Sequence, residues 1–330
     1  MKTIFVSKKA KKDNTFSTIS AALASLSTEN KEAVHIFIEP GIYREKLTIN
    51  RPFLTIEGTG ISSADTVIIY DDYAKMPSDD IGKLGTFRSY SVFIDASDIT
   101  LKNLTIENAS GDSMTHGQAI ALYADGDRLF FDSCRLLGHQ DTLFTGPLPP
   151  KEIEPNGFIG PKQSAPRING RQYYKNCYIC GDIDFIFGSA TAYFENCEIE
   201  SLRRSPNDSE VQGYVTAAST PEGQEYGYVF SHCRLTSKSC PKHSVYLGRP
   251  WRNYAQTIFL ECEFGEHIKP EGFHDWEKKD ARNTVLYAIY KCTSLTRPAD
   301  FVHELDEEQA SQFARNKVLP YIIETPYKNK

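Results

Sequence analysis

The sequence has no excess of positive charge: 37 Lys and Arg stand against 43 Asp and Glu, a net charge of −6 over 330 residues. Such a balance offers no basic surface for nucleic acid or for an anionic membrane. No apolar run reaches the ~20 residues that span a bilayer, so no membrane segment is expected. The opening residues, Met1 to Lys9, hold no apolar stretch of signal-peptide length. A cytoplasmic protein is therefore expected, with secretion after loss of a leader as the alternative. No break in composition divides the chain, and residues 1–330 read as one domain. The eight histidines do not cluster at ligand spacing. Cys177 and Cys180 form a Cys-x-x-Cys, but no second pair follows at the spacing a zinc site requires.

Five of the eight cysteines form a repeat. Cys134, Cys177, Cys197, Cys233 and Cys262 each have an aromatic residue three positions earlier: Phe131, Tyr174, Phe194, Phe230 and Phe259. Each has an apolar residue two positions later: Leu136, Ile179, Ile199, Leu235 and Phe264. The Leu101–Ile106 segment fits the same template with Leu104 in the cysteine slot. Cysteine there reads as a buried hydrophobe rather than a disulfide partner. A flat strand would place Phe194 and Cys197 on opposite faces. A corner near Asn176 or Asn196 would turn both inward, and asparagine tolerates such conformations.

Short strands, corners and a recurring apolar rung predict an all-β fold, a right-handed parallel β-helix. The intervals between these cysteines are 43, 20, 36 and 29 residues, near one coil or a coil with a loop excursion. A β-sandwich with accidental cysteine spacing is the alternative. Residues 16–28 place Phe16, Ile19, Leu23 and Leu26 on one helical face, a short N-terminal cap over the first coil. Residues 306–316 predict a C-terminal helical tail along the outside, and 145–170, rich in Pro and Gly, one long loop.

Two acids lie at unusual places in this pattern. Asp141 follows Gln140, and Asp184 sits within Asp184-Phe185-Ile186-Phe187-Gly188. A carboxylate among phenylalanines must be paired, hydrogen-bonded or chemically useful. Gln118 precedes Asp141 by 23 residues, about one coil, and Asp184 follows it by 43, a coil plus the long loop. Stacked coils would bring the three into a row, where two carboxylates cannot both ionise freely. Arg249, in Leu247-Gly248-Arg249-Pro250-Trp251, could hold one of them as the anion. Taken singly, Asp141 could merely cap a turn and Trp251 could be core; His116 and His139, which flank Gln118 and Gln140 and could tune the pocket, read first as surface or packing residues. Tyr43 and Glu45 read as an internal structural pair.

Five ordered blocks resemble the pectin methylesterases, bacterial members included. They are Gly41-Ile42-Tyr43-Arg44-Glu45, the Gln118 segment, Gln140-Asp141-Thr142-Leu143, Asp184 to Gly188, and Leu247 to Trp251. The resemblance runs from roughly residue 15 to 290. It implies hydrolysis of the methyl esters of homogalacturonan or its oligomers, releasing methanol. Asp184 would be the nucleophile, Gln118 and Gln140 oxyanion donors, Asp141 the acid and then base, and Arg249 the partner of Asp184. Trp251, Phe187, Ser91 and Thr216 would contact the sugar chain. No metal or organic cofactor is implied, nor any nucleic-acid or membrane partner, and a monomer is expected. Two departures stand out: Ala288-Ile289-Tyr290 lacks the family's usual carboxylate, and Phe273 stands where tryptophan is common, with Trp276 retained.

Rival readings need features that are missing. A polygalacturonate glycosidase would carry Asp-Asp and Gly-His-Gly segments. A calcium-dependent lyase would need an acidic cluster beyond Asp182 and Asp184. A pectin-binding module without activity would have lost one of the five residues assigned to catalysis.

Overall fold

A computed structural model describes residues 2–9, 13–29, 32–80, 82–293 and 295–320. Three parallel sheets of 12, 8 and 7 strands run along the chain, each built from one strand per coil. One coil shows the pattern. Leu129–Asp132 lies in the first sheet, Arg135–Leu137 in the second and Leu143–Thr145 in the third. The next coil repeats it with Arg171–Lys175, Tyr178–Gly181 and Ile183–Gly188, every pairing parallel. The chain is the parallel β-helix that its repeat predicts.

The register explains the repeat. Leu101, Phe131, Tyr174, Phe194, Phe230, Phe259 and Ile289 are successive partners in the first sheet. The five aromatic rings among them stack face to face, with centroids 4.5, 4.6, 4.4 and 4.7 Å apart. Stacking of this kind adds to the burial that already favours aromatic rungs.

The corner lies one residue before each cysteine. Asn103, Ser133, Asn176, Asn196, His232, Glu261 and Lys291 all have φ between 47 and 56°. The left-handed corner is thus regular, but it is not confined to asparagine. Each thiol of the rung donates to the carbonyl of the aromatic-slot residue one coil earlier, as in Cys197 Sγ to Tyr174 O at 3.5 Å and Cys233 Sγ to Phe194 O at 3.4 Å. Cys292 continues this ladder, with its Sγ on Phe259 O at 3.3 Å. Cysteine therefore fills a core slot and also finds a carbonyl acceptor for its thiol hydrogen. All eight thiols are unpaired.

Short helices pack at the start of the solenoid and along its side. Helix α1 spans Ile19–Ala24, shorter than the predicted 16–28, because Phe16 belongs to the strand Thr15–Phe16. Thr18 Oγ1 caps it, and Glu45 accepts from the backbone N–H groups of Ile19 and Ser20 at 2.9 and 2.8 Å. A carboxylate there complements the positive end of the helix. Glu45 is thus a helix cap rather than a partner of Tyr43, whose hydroxyl donates to Glu39 O at 2.9 Å. Ile19 and Ala22 are buried and pack on the first strands. Near the C-terminus α2, Glu307–Ser311, and α3, Arg315–Val318, seat Ala310, Val318 and Leu319 on the outer face of the first sheet beside Tyr173 and Val229.

Candidate active site

The third sheet brings the two acids together. Asp141 N–H donates to Ile183 O at 3.1 Å, which sets the Asp141 segment directly against the Asp184 segment of the next coil. Both aspartates have left-handed backbones, with φ of 67° for Asp141 and 50° for Asp184. The register with the following strand slips between Ile183 and Ile186, so Asp184 sits on a bulge. Bulges re-aim side chains, and a strained backbone in a cleft marks a place where geometry is imposed by the surroundings.

Arg249 closes on Asp184 with two parallel hydrogen bonds, Nε to Oδ1 at 2.8 Å and an Nη to Oδ2 at 2.7 Å. Its guanidinium lies between two aromatic faces, 3.9 Å from the centroid of Tyr214 and 3.7 Å from that of Trp276. A planar, delocalised cation suits such a sandwich in a way an ammonium does not. Lys278 braces the adjoining turn by donating to Pro250 O and Trp251 O at 2.7 and 3.1 Å. Burial brings its ammonium down to about 8.

The two carboxyls are electrostatically unequal. Burial pushes both upward. For Asp184 the Arg249 guanidinium opposes that rise through its charge and its hydrogen bonds. For Asp141 the negative charge of Asp184 adds to burial and holds it well above the usual carboxylate range. Of the two, Asp141 is the better placed to hold a proton, and Asp184, bonded to the Arg249 guanidinium, the better placed to carry the negative charge.

Gln118, Gln140, Asp141, Asp184, Phe187, Arg249, Trp251 and Trp276 line one cleft of about 530 Å³, a size that takes small ligands. The side-chain amides of Gln118 and Gln140 have no hydrogen-bond partner among the described residues, so both keep donors free. Ala119 N–H donates to Gln140 O at 3.0 Å, so the two glutamines come from adjacent coils. One wall is aromatic: Phe187 meets Trp251 at 5.7 Å and Phe144 at 4.9 Å. The long 145–170 segment adds a rim through Ile153 to Phe158. Phe158 packs on Phe87 and Trp251, Lys162 pairs with Asp95 at 2.6 Å, and Arg252 donates to Lys151 O at 2.9 Å.

Two predicted sugar contacts are corrected. Ser91 and Thr216 are both 0% exposed and do not line the cleft. The Ser91 hydroxyl donates to Glu107 O at 2.7 Å and that of Thr216 to Leu247 O at 2.9 Å. Thr216 acts at one remove, since its carbonyl accepts from Arg249 N–H at 2.9 Å. Sequence reasoning missed Tyr214 as half of the guanidinium sandwich, and it left Trp276 without a task. His139, read first as a surface or packing residue and second as one that could tune the pocket, has its ring against the buried Asp182 at 3.2 Å. The signal was there: His139 adjoins Gln140, and Asp182 stands two residues before Asp184. Among the described residues no group of three or more His, Cys, Asp or Glu is arranged to hold a metal ion.

The family model described as Pectinesterase matches residues 3–147 and 166–302. Putative pectinesterase 11 of Arabidopsis thaliana is 32% identical over 90% of this chain and 74% of its own length. The solved structure of pectin methylesterase PemA from Erwinia chrysanthemi is 30% identical and superposes with a TM-score of 0.78, covering 98% of each chain. A pectin methylesterase crystallised with a hexasaccharide is also 30% identical, with a TM-score of 0.79 and the same coverage.

Proposed function

The chain belongs to the pectinesterase family, and from that premise we propose that it hydrolyses the methyl esters of homogalacturonan or its oligomers. One observation carries the proposal: an Arg249-paired carboxylate, a second buried carboxyl whose proton affinity that neighbour raises, and two unpartnered glutamine amides share a single cleft. Each has the form that acyl transfer needs. Asp184, the anion, attacks the ester carbonyl carbon. Negative charge builds on the carbonyl oxygen, where the free amides of Gln118 and Gln140 donate to it. Asp141 gives its proton to the departing methoxide, and methanol leaves an acid anhydride between Asp184 and the sugar. Asp141, now a base, takes a proton from water, whose oxygen attacks the anhydride. The galacturonic acid departs and passes its proton to solvent, while Asp184 regains its charge and Asp141 keeps the proton taken from water.

Trp251 and Phe187 offer apolar faces to the sugar rings, and Arg249 stays bonded to Asp184 throughout. The relatives solved with hexasaccharides support a pectin oligomer as the bound ligand. We further propose a monomer acting without a nucleic-acid or membrane partner. Eight unpaired thiols suit a reducing compartment, which favours the cytoplasm.

Methanol release from methylated pectin tests the reading. Asp184→Asn is expected to abolish release while the far-ultraviolet spectrum and melting transition stay near wild type. A folded Asp184→Asn protein with full turnover removes the proposed nucleophile.

A further inference from the structure

Behind the cleft, Asp182 is 1% exposed and fully bonded. Its Oδ2 accepts from Ser113 Oγ at 2.8 Å and meets His139 Nδ1 at 3.2 Å, while Oδ1 accepts from Ile183 N–H at 2.6 Å. The backbone binds the same two segments, with Asp182 N–H on His139 O at 3.1 Å. His139 stands two residues before Asp141, and Asp182 two before Asp184. Neither lines the cleft.

We propose that His139 and Asp182 are positioning residues for the ester hydrolysis: their ion pair clamps the two aspartate-bearing segments and supplies charge that Asp141 and Asp184 both sense. This rests on the function proposed above. The placement argues against a purely structural role. A buried carboxylate is costly to keep, and hydrogen-bonding Ser113 to Ile183 would not by itself require a charge. Asp182 adds negative potential at both Asp141 and Asp184. His139 offsets it when protonated, and Asp182 in turn holds the imidazole above its ordinary value. The other groups in this field are Asp112 at the start of the Ser113–His116 helix, Arg249 and Lys278 around Asp184, and the half-buried Cys240 near Asp182.

Opposite charge changes should then move the pH–rate profile in opposite directions. Asp182→Asn keeps acceptors for Ser113 and Ile183 but deletes the anion. Asp141 then loses its proton earlier, so the alkaline limb of kcat moves down and turnover on that limb falls roughly tenfold. His139→Gln deletes the compensating cation and moves the profile up. KM on methylated pectin should hardly change in either variant. Unmoved limbs, with kcat lowered equally at every pH, would mean a structural brace and overturn the proposal. Should Asp182→Asn not fold, an unmoved profile in His139→Gln suffices to refute it. Wild-type protein without esterase activity would remove the functional reading and this inference together, whereas active wild type with unmoved variants removes only this one.

Discussion

Replacing Arg249 by alanine probes the charge separation on which the chemistry depends. The wild-type residue makes hydrogen bonds of 2.8 and 2.7 Å to the two oxygens of Asp184, in a pocket sealed by Tyr214 and Trp276. Without it, Asp184 remains buried with no bonded counterion and has two ways out. If it stays ionised, the orphaned charge costs on the order of 3–5 kcal/mol of stability. If it takes up a proton, the fold is spared but the nucleophile is neutralised. An opposite charge at this range favours the ionised carboxylate strongly enough that kcat at pH 7 should fall roughly 10- to 1,000-fold. The loss should ease as pH rises, until Asp141 gives up its proton. The stability deficit should show the reverse trend and vanish in acid, where Asp184 is neutral in the folded and the unfolded chain alike.

Stopped-time methanol assays between pH 5 and 9, paired with denaturant melts over the same range, separate these effects. Arg249→Lys supplies a point charge without the planar fork, so its turnover should lie between alanine and wild type. An Arg249→Ala protein with kcat within about threefold of wild type and an unchanged pH profile would refute the reasoning.

Gln140→Ala should lower kcat by about 10²- to 10³-fold with KM little changed, if its amide reaches the developing oxyanion; single-turnover kinetics check this. Asp125, pushed up to about 6 by burial, offers a stability test remote from the chemistry. Between the ordinary carboxylate value and pH 6 the unfolded chain releases this proton first, so the native state weakens as pH rises through that window. Asp125→Asn should therefore stabilise at pH 8, by no more than about 3 kcal/mol, and should do little at pH 3, as urea titrations would show. Phe194→Ala breaks the aromatic stack at its centre and should cost about 3–5 kcal/mol without moving the pH–rate profile, measured by denaturant unfolding.

The ladder was legible in the sequence because identical demands recur at identical places. Each coil needs an aromatic, a small apolar group and an aliphatic pointing inward, and chemistry that repeats leaves a repeat. Cys292 escaped the template because Ile289 replaces the aromatic three residues earlier and Ser294 the apolar residue two later. The corner before each cysteine was half legible. Asparagine suggested it, but Ser133, Glu261 and Lys291 adopt the same left-handed turn, and their residue types carry no warning of it. The acids, glutamines and Arg249 stood out because charged and amide groups among phenylalanines demand an explanation. Tyr214 and Trp276 did not stand out, since an aromatic in a β-helix is ordinarily core, and 62 residues separate them. Their meeting depends on how the chain beyond Phe264 folds back over the third sheet, which no local pattern encodes. Ser91 and Thr216 were misread for a related reason: a hydroxyl beside a site binds a backbone carbonyl as readily as it binds a sugar.

Drawing Asp141 and Asp184 from consecutive turns of one sheet has a quiet consequence for how this catalyst can vary. Their separation inherits the interval between neighbouring strands, a length dictated by amide hydrogen bonding and indifferent to side chains. Mutation can hardly stretch or shrink that ruler without unwinding the solenoid. What remains open to drift is the potential around it and the rim that the 145–170 excursion lays across it. Acidity preference and chain-length preference can thus diverge between relatives while the reacting atoms keep their spacing.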